Sequence, residues 1–345
     1  MYKNNEARKH HFIPQFIIRN FYNEDGQVYF WDYIQKKLEK RSSRSLFVET
    51  DMYWDEKQHS DNPTLIESNL ALFEKEIAEL ISNKILEKDK IILTNEEYES
   101  LRIFIALLSF RAKYRKEQFV EKDFSADTVN FLKRYQTDGD LETLWKREIE
   151  AISKCRTISE IENSNVINPA TKNEFKNDYE GYFMSFLDAR GGEFVLTDVY
   201  PTFEVVELDG GGIMPIHILV PLSPTRMLIL SHLCFLPIPP QLNIIKNIDS
   251  YTRIDKSLTK PPVENVANGE ITFTLRKCYE NDILWLNGLY LNEVREALVF
   301  RDPQKILNSI RHYNLHKDNN DYDDLLNELT EKHHASFWNA NAMQD

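Results

Sequence analysis

Two adjacent histidines, a proline and an arginine lie inside an apolar run, Lys9-His10-His11-Phe12-Ile13-Pro14-Gln15-Phe16-Ile17-Ile18-Arg19-Asn20-Phe21. Titratable groups in such a segment serve something besides burial. As chain neighbours, His10 and His11 point to opposite sides of an extended segment and cannot both ligate one ion as an i,i+4 pair would. His11 heads a His-x-x-Pro stretch in which Pro14 restricts the backbone and pre-sets an imidazole. The plainer alternative is a histidine bonded to a carbonyl or carboxylate at the edge of the core. Glu67 and Glu74 stand seven apart, about 20° offset around a helix and two turns along it, so they share one face. With Leu70 and Phe73 nearby, that face is partly apolar, and a carboxyl there has a raised pKa suited to proton transfer. Its plainer alternative is a surface seam. Arg111 follows the most apolar part of its helix and, if buried, needs a carboxylate or phosphate partner; Glu67 and Asp198 are the natural carboxylates.

Were His11, Glu67, Arg111 and Asp198 to converge, the chemistry would be that of a metal-assisted or acid–base hydrolase. His11 and Glu67 would hold a divalent metal ion or activate water, Arg111 would clamp a phosphate, and Arg19 and Arg115 would add substrate contacts. Known signatures are absent or misplaced. Asp32 with Gln35-Lys36-Lys37 echoes a nuclease set, but all four lie on one short segment. No H-E-x-x-H occurs; His333-His334 falls in a polar stretch, and His312 with His316, although at helical i,i+4 spacing, reads as accidental. With ten glycines and no phosphate loop, dinucleotide fingerprint or nucleophile elbow, nucleotide-cofactor enzymes and serine hydrolases of those types are disfavoured.

The elements that must position these residues are legible in outline. Gly26–Tyr33 reads as a strand, followed by a basic turn and a second strand at Ser45–Val48, together an N-terminal β-hairpin. Apolar spacing predicts a long helix from Leu65 to about Leu86, and Thr94-Asn95-Glu96-Glu97 a capping box opening a second. Further helices are expected at 126–135, 141–152, 174–187 and 281–300. From Glu193 short apolar runs separated by Gly and Pro predict strands near 194–197, 203–208, 216–220 and 227–230, with Gly210-Gly211-Gly212 as a turn and Pro237-Ile238-Pro239-Pro240 in an irregular connection. Helices followed by strands indicate an α+β fold, a mostly helical first half packed on an antiparallel sheet. The expected organisation is one compact domain, residues 1–345, with a helical part to about 189, a sheet-rich part from 190 to 302 and a polar tail from 303 to 345.

Composition narrows the function classes. The chain has 345 residues, 42% of them hydrophobic and 12% aromatic, enough to bury a substantial core. Its net charge of -13 repels a phosphate backbone, so a nucleic acid would have to be met locally, at Lys36–Arg44 or Arg111–Lys116. The plainer reading of those clusters is a solvated hairpin tip and a solvated helix end. Three distant cysteines, Cys155, Cys234 and Cys278, argue against disulfides and thiolate zinc, and no apolar leader or membrane-length run occurs, so a soluble cytoplasmic protein is expected.

The opening His-Phe-Ile-Pro-Gln-Phe-x-x-Arg-Asn-Phe resembles that of an uncharacterised family of bacterial proteins, domain-of-unknown-function family 4238. The resemblance runs through most of the chain: a hairpin, a helix with spaced glutamates matched by Glu67 and Glu74, a helix with arginines matched by Arg111 and Arg115, and Pro221-Leu222-Ser223-Pro224. Thr197-Asp198-Val199-Tyr200-Pro201 resembles the family's Thr-Ser-Asp-x-Pro segment, although Asp198 stands one place early. Asn292, Val294, Ala297 and Val299 resemble a closing Asn-containing helix. The family implies no activity. The reading preferred from sequence is therefore a phosphate-directed hydrolase or nuclease-like effector of bacterial defence. Its alternatives are a binding or regulatory protein that engages a protein partner or small ligand, and a structural network of His11, Arg19 and Asn20.

Overall fold

A computed structural model describes residues 8–135, 140–207, 213–236, 252–317 and 320–331. Its strands are β1 (Lys9–His11), β2 (Val28–Asp32), β3 (Lys37–Arg41), β4 (Val48–Thr50), β5 (Lys90–Thr94), β6 (Tyr182–Arg190), β7 (Leu196–Thr197), β8 (Thr202–Glu207), β9 (Ile213–Ser223), β10 (Arg226–His232), β11 (Val263–Asn265), β12 (Glu270–Thr274), β13 (Arg276–Tyr279) and β14 (Ala297–Phe300). Its helices are α1 (Gln15–Arg19), α2 (Leu65–Leu80), α3 (Asn95–Phe110), α4 (Lys113–Glu121), α5 (Ala126–Leu132), α6 (Leu141–Ser153), α7 (Ile158–Asn163), α8 (Pro169–Glu180), α9 (Glu280–Glu293) and α10 (Pro303–Lys317). The fold is α+β. Two compact units result, one from residues 1–16, 47–183 and 262–273, the other from 17–46, 184–261 and 274–345.

The first unit is built around α3. Its capping box forms as the sequence predicts: Thr94 Oγ1 accepts the Glu97 N–H at 3.2 Å and Glu97 Oε2 accepts the Thr94 N–H at 2.8 Å. From Leu101 to Leu108 every residue of α3 is buried; the run is apolar except for Arg102, whose guanidinium donates to the Tyr182 and Tyr179 carbonyls. α2 presents Ile66, Leu70, Phe73 and Ile77 to the interior and continues into a π-helical turn, Ile81–Ile85. Side-chain caps start α6 at Asp140 and α8 at Asn168, with Pro169 in the first turn. β1 pairs antiparallel with β4, His10 opposite Glu49 and His11 opposite Val48.

The second unit contains a sheet of order β13-β6-β10-β9-β8, in which β8, β9 and β10 pair antiparallel and β13 runs parallel to β6. A second sheet has the order β3-β2-β14-β7. Its core gathers Trp31 and Leu38 from the hairpin, Leu219 and Ile229 from the larger sheet, Leu286 and Tyr290 from α9, and Ile306 and Ile310 from α10.

Several elements differ from expectation for identifiable reasons. The hairpin partner of β2 is β3, inside the basic cluster, and not Ser45–Val48: Leu38 is buried opposite Trp31 while the cations between project outward. The helix expected over 174–187 ends at Glu180, because Tyr182-Phe183-Met184-Ser185-Phe186-Leu187 is apolar on both faces and enters a sheet as β6. The helix expected over 281–300 ends at Glu293, and Ala297-Leu298-Val299-Phe300 becomes β14 between β2 and β7. Residues from 303, read as a polar tail, form α10 and a helical stretch at 323–331, with Leu307, Tyr313, Tyr322, Leu325 and Leu329 in the core. The expected turn at Gly210–Gly212, the Pro237–Pro240 connection and His333-His334 lie outside the described residues.

Candidate acid–base site

The polar cluster of the first unit begins with Arg111 at the C-terminal end of α3. Only 1% exposed, Arg111 donates through Nη1 to Glu74 Oε1 at 2.6 Å and through Nη2 to the His11 carbonyl at 2.8 Å. Its guanidinium lies 5.6 Å from the centre of the Tyr53 ring, and Tyr53 Oη donates to the Arg111 carbonyl at 3.3 Å. Trp145 Nε1 donates to the Phe110 carbonyl at 2.9 Å, so Tyr53 and Trp145 satisfy two of the carbonyls that a helix end leaves open.

β1 delivers its two histidines to different partners, as adjacent strand residues must. His10 Nδ1 accepts the Tyr53 N–H at 2.8 Å and stacks on that ring, while His11 Nδ1 lies 3.3 Å from Gln15 Nε2. What Arg111 holds is therefore the backbone of His11 and not its imidazole. Arg8 and Asp51 form an ion pair beside this strand, and Lys116 of α4 pairs with Glu49 of β4.

Glu67 and Glu74 lie two turns apart on α2, as their spacing requires. Glu74 is the ion-pair partner of Arg111; Glu67 is half-buried, and among the described residues no group hydrogen-bonds its carboxyl. Burial pushes the Glu67 carboxyl up to about 7; Arg111 opposes the shift and Glu74 adds to it. Arg111 is held charged despite its burial by Tyr53, Glu74 and Glu67. Burial likewise raises the Tyr53 phenol above its usual range.

The structure thus brings together His11 (through its carbonyl), Glu67 and Arg111, and adds His10, Tyr53 and Glu74. Glu74 was visible through its spacing from Glu67; Tyr53, in the loop after β4, carries no sequence signal that marks it among 16 tyrosines. Both terminal nitrogens of Arg111 are engaged, so it anchors the cluster and is not an open phosphate clamp. Arg115 is also occupied, through Nη2 to Glu174 Oε2 at 2.6 Å and Nη1 to Gln118 Oε1 at 3.2 Å. Arg19 and Asp198 belong to the second unit. Arg19 is exposed at the end of α1. Asp198 Oδ1 accepts the N–H groups of Arg295 and Ala297 at 3.2 and 3.0 Å, which ties it to the start of β14; burial raises its carboxyl and those backbone bonds oppose the rise. Among the described residues no three His, Cys, Asp or Glu side chains group to hold a metal ion, so the expected His11–Glu67 ligand pair gains no third member.

Other strongly buried acids have structural work. Glu148 Oε1 accepts from the N–H and Nδ2 of Asn168, and Oε2 accepts from Thr171 Oγ1, which together lock the start of α8.

A family model described as Protein of unknown function (DUF4238) matches residues 9–258. The match takes in β1, both glutamates of α2, Arg111, Arg115 and Asp198, and stops before Asn292–Val299. No curated protein and no solved structure matches the chain. Among the described residues no helix is long and apolar enough to cross a membrane.

Proposed function

We propose, for a chain that belongs to the family described as Protein of unknown function (DUF4238), that the first unit carries an acid–base site of a hydrolase with Glu67 as its proton-transferring group. One observation carries this reading: a half-buried carboxyl without a hydrogen-bond partner among the described residues lies in the field of a buried arginine already neutralised by Glu74. A group that titrates near 7 exchanges protons with water or a substrate hydroxyl most effectively at neutral pH. Arg111 fixes the site and stabilises the Glu67 carboxylate once the proton has left; Tyr53 and Glu74 hold Arg111 in place. Phosphate esters are the first substrate class to test. A nuclease-like effector of bacterial defence is the narrowest form of the reading, and the net charge of -13 weighs against it.

A second reading rests on its own observation. The bond from Arg111 to the His11 carbonyl ties β1 to α3, as a binding or regulatory protein would need if the opening motif only fixes the N-terminal strand. A panel of mono- and diester phosphate substrates, assayed across pH 5–9 with wild type and Glu67→Gln, separates the two. The acid–base reading predicts turnover that changes about neutral pH and falls by on the order of 100-fold in Glu67→Gln. Equal activity in both proteins, or none in either, leaves the second.

A further inference from the structure

His312 and His316 of α10 meet Trp285 of α9. The imidazole centroids are 4.1 Å apart at 31°, and the indole stands edge-on to both, 4.5 Å from His312 at 87° and 4.8 Å from His316 at 64°. One helical turn separates the two rings, so they share a face, and the indole limits the rotamers either ring can adopt. The spacing that reads as accidental in the sequence is thus built into a three-ring cluster.

We propose that His312 and His316 chelate a divalent transition-metal ion, with Trp285 as the aromatic wall of the site. His316 Nδ1 lies 2.8 Å from the His312 carbonyl, a contact that only a protonated nitrogen can make. The proton therefore sits on Nδ1 and the lone pair on Nε2, the atom a metal takes, and the backbone carbonyl acts as the outer partner that fixes such a ligand's tautomer. His312 is half-buried, His316 exposed, so the site is open to solvent. Two imidazoles without a carboxylate suit Cu2+, Ni2+ or Zn2+ and not Mg2+ or Ca2+, and the affinity order places Cu2+ first. Since no third ligand joins among the described residues, water fills the remaining positions. This site is independent of the acid–base reading of the first unit.

The test is titration of the full chain, free of any purification tag, with Cu2+ at pH 7.5. It is followed by tryptophan emission and by the nitrogen hyperfine pattern in electron paramagnetic resonance, for wild type, His312→Ala, His316→Ala, Trp285→Phe and a His333→Ala/His334→Ala double variant. Circular dichroism checks that each variant is folded. One Cu2+ with two nitrogen ligands is expected in wild type, with quenching that disappears in Trp285→Phe while the two-nitrogen signal persists. Either single alanine weakens binding by at least about tenfold, since losing even an outer partner costs that much. The proposal is overturned if both alanine variants bind as wild type does, if the His333/His334 double variant abolishes the signal, or if Trp285→Phe removes no quenching.

Discussion

Arg111 is the residue on which the first unit's polar cluster depends, because one buried guanidinium joins α2, α3 and β1. Removing it leaves the partly buried Glu74 carboxylate without its cation and the His11 carbonyl without its donor. Arg111→Met should cost about 3–5 kcal/mol of unfolding free energy, read from urea denaturation; Arg111→Lys, which keeps the charge but cannot span both partners, should fall between. Glu67 carries a prediction with a definite sign. Its pKa rises from 4.5 to about 7 on folding, so between those values the folded protein binds a proton that the unfolded chain does not. The stability this contributes is fully present below the lower value and is lost as pH rises through the upper one. Glu67→Gln should therefore gain in melting temperature over wild type at pH 8 and show no such gain at pH 4, as followed by scanning calorimetry. At this scale the sequence showed which residues have unusual chemistry, since the seven-residue spacing of the glutamates and the arginine after an apolar run are local patterns. It did not show that His11 contributes its backbone, that Tyr53 lies under Arg111, or that Asp198 holds backbone N–H groups at β14, because those contacts join segments far apart in the chain.

At the scale of elements, legibility followed periodicity. α2, α3 and α6 carry clear apolar stripes or caps and form where expected. The capping box of α3 gives a clean check: Thr94→Ala removes one of its two bonds and should cost about 1 kcal/mol, measured by chemical denaturation, with no effect on the proton affinity of Glu67. Short, fully apolar runs were the failures. Tyr182–Leu187 and Ala297–Phe300 are compatible with either a buried helix or a buried strand, and only their place in a sheet, β6 between β13 and β10 and β14 between β2 and β7, decides. β3 was hidden for the opposite reason, its single buried Leu38 being surrounded by cations. Those cations are paired within the chain: Lys37 and Arg41 with Glu39, and Lys40 with Asp25. The second basic cluster is similar, with Arg111, Arg115 and Lys116 paired to Glu74, Glu174 and Glu49. In both clusters, carboxylates lie beside these cations.

For the whole molecule, the division into two units is discontinuous in sequence, since residues 17–46 join the second unit and 262–273 the first. No compositional boundary could reveal that. The core of the second unit also draws on residues beyond the family match, from Cys278 through Leu329. A chain ending at Phe300 should therefore lose fixed packing in that unit, binding a hydrophobic dye and losing near-ultraviolet circular dichroism while keeping far-ultraviolet signal. The central claim concerns the first unit and needs no substrate. Protein labelled with 13C at glutamate side-chain carboxyls should be titrated by nuclear magnetic resonance, with Glu67 assigned by the signal missing in Glu67→Gln. A Glu67 midpoint near 7 is the predicted result. A midpoint near 4.5, that of an ordinary solvated glutamate, would contradict it.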